Sequence, residues 1–176
     1  KLGCGATSNN NNTYLRSPGY DSSFNYGLDC HQHIRIDSSV CQLRLEIHNL
    51  ELAYPTTKGF CEDDYLKVNQ DIKFEYLCGV TTNNHFYLDV DSSDNELVSF
   101  NFHTSNTVSF NRKWNIRVQK IMCNTDAEVM RGCGQYYTGT SGNLRGFNID
   151  GSSSFNYLIH GLNYAACVRV ELGYCK

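Results

Sequence analysis

The sequence has no block of like charges, no long apolar run and no closely spaced pair of cysteines. Each absence removes a class of function. Nucleic-acid binding needs a basic patch that neutralises phosphates. Here 15 Lys+Arg are interspersed with 18 Asp+Glu, for a formal net charge of −3. The same dispersal argues against electrostatic docking on an anionic membrane surface. No apolar segment approaches the ~20 residues a helix needs to span a bilayer. No signal segment opens the chain either, so the numbering is expected to begin after removal of a leader. Structural zinc is usually held by close ligand pairs of the Cys-x-x-Cys kind, and none occurs. Proline is scarce, at 2 residues, and no window of ten or more residues carries a helical period.

Catalytic fingerprints are missing as well. The chain contains no Gly-x-Ser-x-Gly elbow, no Gly-Asp-Ser-Gly-Gly run, and no phosphate-cradling or dinucleotide-binding loop. Ser141, set between Gly139-Thr140 and Gly142, reads as a turn residue rather than a nucleophile. The expectation is a protein that is not an enzyme.

What is present is cysteine, tyrosine and turn residues. Nine cysteines (Cys4, Cys30, Cys41, Cys61, Cys78, Cys123, Cys133, Cys167 and Cys175) are spread along the whole chain. Dispersed cysteines at long spacing indicate disulfides formed in an oxidising, extracellular compartment. Because nine is odd, at least one thiol lacks a partner within a monomer. A sequon at Asn11-Asn12-Thr13 offers Asn11 as a glycosylation site in the same compartment. With 12 Tyr, 9 Phe and 14 Gly, the composition is that of strands and turns. Hydrophobic residues make up 40%, enough to bury a core.

Period-two alternation supports this. Ile34 and Ile36 share a face, as do Leu43, Leu45 and Ile47, with Arg35, Arg44 and Glu46 opposite. Further strands are expected at 65–68, 86–90, 97–103 and 114–121. Short strands split by Asn/Ser/Asp/Gly turns predict an all-β, antiparallel β-sandwich.

A boundary falls over residues 124–132, a polar stretch after the last strong strand. Beyond it the chain restarts. Leu15-Arg16-Ser17 is echoed by Leu144-Arg145-Gly146, and Asn25-Tyr26 before Cys30 by Asn163-Tyr164 before Cys167. Cys41 follows Cys30 as Cys175 follows Cys167. This is a weak internal repeat. The expected organisation is a domain at 1–123, a linker at 124–132, and a partial or degenerate second β-rich unit at 133–176.

Several local patterns, in order, resemble a CUB domain. Ser17-Pro18-Gly19-Tyr20 followed by Asn25-Tyr26 and Cys30 is similar to that family's opening turn. Leu43 to Ile47, running on to Leu50-Glu51-Leu52, resembles its alternating strand ending in Glu. Cys61-Glu62-Asp63-Asp64-Tyr65-Leu66-Lys67-Val68 resembles its Cys-x-x-Asp-x-Leu-x-Val pattern, and Cys78-Gly79 its closing Cys-Gly. Phe100-Asn101-Phe102 and the strand from Trp114 complete the order. Cys41, Cys123 and the stretch from Gly132-Cys133-Gly134 are similar to secreted arthropod proteins in which a divergent CUB-like unit follows the first. The resemblance implies a jelly-roll sandwich with disulfides Cys4–Cys30 and Cys61–Cys78. Through the repeat, it implies Cys133–Cys167. Cys41 and Cys123 both flank strands of the first module and are paired on that ground. Cys175 is left unpaired, or bonded beyond residue 176 or to another chain.

Many CUB domains hold calcium with a Glu, the Asp of Cys-x-x-Asp and a late Asp. Glu51 and Asp64 match the first two, and Ser105 stands at the third position, with Asn106 or a carbonyl beside it. Calcium needs six to eight oxygen ligands, so the loss of one carboxylate weakens the set. No cofactor is required by this reading, and calcium is the one it allows. His31 and His33 share a strand face without an identifiable third ligand, and read as strand histidines rather than a metal site. Tyr54, Tyr136, Tyr137, Tyr157 and Tyr164 lie in loop-like segments. They serve either recognition or the packing of the second unit on the first. The leading expectation is a secreted, non-catalytic recognition module for an extracellular protein or glycan, with calcium assistance if the site is retained. The alternatives are a self-assembling subunit of a filament, coat or matrix, and a regulatory fragment of a secreted protease.

Overall fold

In the computed structural model, residues 1–69, 75–93, 96–149, 156–171 and 173 are described. Their ordered elements are strands: β1 (Thr7–Ser8), β2 (Asn12–Arg16), β3 (Leu28–Arg35), β4 (Val40–Glu51), β5 (Tyr65–Val68), β6 (Val80–Asp89), β7 (Leu97–Thr104), β8 (Lys113–Met122), β9 (Cys133–Tyr137) and β10 (Ala165–Val168). No helix occurs among the described residues, so none is long and apolar enough to cross a membrane.

Two four-stranded sheets form the body, in the orders β1-β3-β7-β5 and β2-β8-β4-β6. All their pairings are antiparallel except β1 with β3. Alternation along each strand decides which side chains are enclosed. Ile34, Phe100, Phe102 and Leu66 face inward from the first sheet. Leu43, Leu45, Ile47, Ile116 and Val118 face them from the second. Trp114 lies at the centre, stacked on Phe102 with ring centroids 4.3 Å apart. The jelly-roll sandwich read from the sequence is therefore present.

The register shifts between Ile47 and Asn49 where β4 meets β8, and Asn83 on β6 has a positive φ of 50°. That irregularity turns Leu50 and Leu52 into the core, so β4 stays buried past the point where simple alternation would expose it.

Among the described residues, four disulfides staple the chain: Cys4–Cys30, Cys41–Cys123, Cys61–Cys78 and Cys133–Cys167. Cys41–Cys123 closes the longest loop, at a sequence separation of 82, and ties the start of β4 to the end of β8. Cys175 lies outside the described residues.

Strand β6 is the edge of its sheet, and an uncovered edge invites pairing with other chains. Residues 129–149 cover it. Gln42 and Val129 exchange two hydrogen bonds, Nε2 to the carbonyl at 2.9 Å and the Val129 amide back to Oε1 at 2.9 Å. Gln135 donates to Asn84, the Tyr136 amide to His85, and the Asn148 amide to Thr81. Phe86 of β6 packs edge-on against Phe147 and Tyr164, with centroids 5.5 and 5.3 Å away. Gly59 and Gly79 both take positive φ; a Cβ on Gly79 would strike this covering segment at Asn148, and one on Gly59 would strike Leu158 further along the chain. β9 and β10 form a separate two-stranded parallel sheet.

Candidate functional site

The strand directions bring three loops to one end of the sandwich: 17–27 between β2 and β3, 52–64 between β4 and β5, and 105–112 between β7 and β8. One ion pair lies beneath all three. The side chains of Asp64 and Arg112 are both 0% exposed. Arg112 Nε donates to Asp64 Oδ2 at 2.8 Å and Nη2 to Oδ1 at 3.0 Å. Two backbone amides complete the carboxylate, Ala53 to Oδ2 at 2.8 Å and Ser105 to Oδ1 at 2.9 Å. Each carboxylate oxygen thus accepts two hydrogen bonds and is saturated. Arg112 Nη2 also donates to the carbonyls of Ser105 and Val108, at 3.0 and 2.9 Å. The Arg112 backbone exchanges two hydrogen bonds with Phe24, which joins the first loop to the other two.

A planar guanidinium suits this position because its fork matches a carboxylate while its remaining N–H groups reach carbonyls. Two buried charges cost desolvation energy that only saturated geometry offsets, and removing one partner strands the other. The loops are tied again nearer the surface. Gly27 donates its amide to Asn106 at 2.6 Å, Thr107 donates to Asp63 at 3.1 Å, and Tyr54 packs edge-on against Phe110 at 5.6 Å.

The three residues implied for calcium are distributed differently from an ion-binding set. Asp64 is turned inward onto Arg112. Glu51 lies at the end of β4, where its Oε1 accepts from Asn49 at 3.1 Å. Ser105 offers its amide to Asp64 and its carbonyl to Arg112, while its hydroxyl pairs with Thr107 at 2.6 Å. Asn106 is committed to Gly27. Among the described residues, no group of three or more His, Cys, Asp or Glu side chains could hold a metal ion. The donor set does not fit calcium, because both oxygens of Asp64 are already filled by N–H donors. Arg112 was not singled out from the sequence. The available signal was a serine at an acidic position with an arginine following it, but arginine reads by default as a surface residue.

His31 and His33 lie on the outer face of β3, and each has a cross-strand partner: Asn101 at 2.7 Å for His31, and Ser99 at 2.8 Å for His33. Ser141 lies exposed between β9 and β10. Asn11 is exposed immediately before β2. Of the five tyrosines expected in loops, Tyr136 and Tyr137 lie instead in β9, and Tyr137 and Tyr164 pack on β6, against His85 and Phe86. Tyr136 packs on the small cluster of Tyr87, Val129 and Cys133. Tyr157 is half-buried, and its carbonyl accepts from Asn148. The aromatic side chains exposed on the loop end are instead Tyr26, at 50%, and Phe60, at 41%. Tyr20, in the first of these loops, has two cations over its ring, Arg16 at 4.6 Å and Lys113 at 5.0 Å from the centroid.

His85 marks the seam between β6 and β9. Its Nε2 accepts the Tyr136 amide at 3.0 Å. Burial, with Arg44 nearby, holds the imidazole below its ordinary pKa and outweighs the opposing pull of Glu46.

The CUB domain family model matches residues 4–118, and the Animal CUB domain model matches residues 130–176. No curated protein matches. Solved structures do. The MASP-1 CUB2 domain bound to Ca2+ aligns at 16% identity and a TM-score of 0.52, over 66% of this chain and 98% of that one. The extracellular region of zebrafish Gpr126/Adgrg6 aligns at 17% identity and a TM-score of 0.53, over 68% of this chain and 15% of that one. The CUB1-EGF-CUB2 domains of rat MASP-1 align at 17% identity and a TM-score of 0.50, over 74% of this chain and 49% of that one. At these identities the likeness is one of fold.

Proposed function

Since this chain belongs to the CUB domain family, we propose that it is a secreted, non-catalytic recognition protein that contacts an extracellular protein through the loop end of its first module. CUB domains are typically extracellular protein-interaction modules and generally non-catalytic. The observation that carries the reading is the buried Asp64–Arg112 pair under three loops whose surface offers Tyr20, Tyr26 and Phe60. Rigid aromatic groups on a preorganised base bind without the ordering cost that mobile loops incur. Surface-borne function on loops held by a scaffold is the general pattern for such folds.

Residues 133–176 fit a partial second CUB-like unit of the divergent kind described for arthropod proteins, with 124–132 as its linker. The support is positional. β9 and β10 pair in parallel and are bridged by Cys133–Cys167, as β1 and β3 pair in parallel near Cys4–Cys30. Asn11, exposed ahead of β2, is the glycan acceptor in this scheme.

Affinity capture from extracellular fluid tests the reading. The intact protein recovers a partner that the triple variant Tyr20→Ala, Tyr26→Ala, Phe60→Ala does not, while both melt alike. Equal recovery by the two contradicts it, and loss of recovery after enzymatic deglycosylation of the fluid moves the assignment from protein to glycan. A second reading, self-assembly, is favoured by β10, where Val168 is 58% exposed and Val170 beyond it 70%. A concentration-dependent rise in mass under non-reducing conditions would support it.

A further inference from the structure

We propose that Arg112 is a built-in cation that replaces a divalent ion, so that the loop end of this module is assembled and works independently of calcium. The positions compared are Glu51, Asp64 and Ser105, where the resemblance implies ion ligands and the structure shows a different chemistry.

A calcium site is a surplus of oxygen lone pairs, six to eight of them, facing one point. The loop end has the opposite surplus. Both oxygens of Asp64 are filled, each by one guanidinium N–H and one backbone amide. The carbonyls of Ser105 and Val108, oxygens that an ion would recruit, accept from Arg112 Nη2. Arg112 Nη1, a donor, is one of three buried side-chain nitrogens among the described residues without a protein hydrogen-bond partner, with Arg44 Nε and Trp114 Nε1. An entering cation would have to expel the guanidinium and leave that charge without its carboxylate. Arg112 already performs the work of an ion here: it neutralises the buried carboxylate and draws residues 53, 64, 105 and 108 to one centre. Its backbone, paired with Phe24, extends the hold to the first loop.

The consequence is regulatory. A loop surface organised by a metal is switched by the free ion concentration. A loop surface organised by a covalently attached guanidinium is constant, and partner binding carries no chelator sensitivity.

Thermal melting and calorimetric titration of the whole chain test this. The parent protein melts at the same temperature in excess chelator and in millimolar calcium, and calcium titrated into it gives no binding heat. Arg112→Met, which removes the charge at similar volume, lowers the melting temperature by about 10 °C, and Arg112→Lys recovers only part because an ammonium cannot form the two-pronged contact. Saturable calcium binding by the parent, or stabilisation of the parent by calcium over chelator, overturns the proposal even if Arg112→Met does not fold. Unchanged melting of Arg112→Met overturns it as well. These readouts do not involve a partner, so failure here is distinct from failure of the recognition reading.

Discussion

Two irregular regions of this molecule are held by different physics. The loop end of the first module has a charged centre, buried and saturated, with the loop backbones attached to it directly. The region beyond residue 132 has no such centre among its described residues. It leans on the edge of β6 through Phe147, Tyr164 and a series of amide contacts, while its disulfide Cys133–Cys167 is internal to it. Its outer strand β10 remains mostly exposed. Loops without regular structure are made rigid from within, whereas a unit with regular strands depends on its neighbour. Strand pairing alone therefore does not make a region independent; enclosure does, because a two-stranded sheet with one open face buries too little to offset its ordering entropy.

Separating the disulfides breaks the comparison most strongly. Replacing Cys41 and Cys123 by alanine opens the loop of 82 residues and is expected to cost about 4–5 kcal/mol, read as a shift in the denaturant midpoint of Trp114 fluorescence. Replacing Cys133 and Cys167 leaves that midpoint nearly unchanged, because Trp114 reports the first module, but speeds proteolysis after residue 132.

Phe147→Ala probes the attachment next. It removes a buried ring between Phe86 and Tyr164 and is expected to weaken the packing of residues 133–171 by about 3 kcal/mol, seen as faster hydrogen exchange along β6. Gly79→Ala is smaller, about 1–2 kcal/mol. It forces a side chain onto a left-handed residue and against Asn148 at once, and the same exchange measurement detects it.

The smallest effect is set by pH. His85 is neutral in the seam, with a folded-state pKa below its ordinary value. Its contribution is therefore complete above the ordinary imidazole value of about 6.5 and is lost as pH falls below that toward the lowered folded value. Exchange of the Tyr136 amide should rise between pH 7.5 and 5, and His85→Gln should flatten that rise.

Much of the first module was legible because its strands alternate. Leu43 to Ile47 and Leu97 to His103 declare their buried faces residue by residue, and their expected spans lie within β4 and β7. The start of β6 was not legible. Val80-Thr81-Thr82-Asn83-Asn84 shows no alternation, and it forms a strand because Thr81 and Asn84 are hydrogen-bonded by residues more than fifty positions away. The same limit hid the site. Asp64 was visible as a pattern residue, but its partner was not, since the pairing of Arg112 with Asp64 spans 48 positions and has no local signature. The tyrosines failed as guides for a related reason. Tyr137 and Tyr164 sit in polar, glycine-rich sequence that reads as exposed loop, yet each packs on β6 across a contact that no local pattern encodes.

Residue-resolved hydrogen exchange on the intact, oxidised chain at neutral pH tests the central comparison most directly. The loop end locked by Asp64 and Arg112 should protect the amides of Phe24, Ala53, Ser105 and Arg112 to nearly the level of β4 and β8, while the amides of β10 exchange orders of magnitude faster through local opening. Loop-end amides that exchange as fast as those of β10 would contradict it.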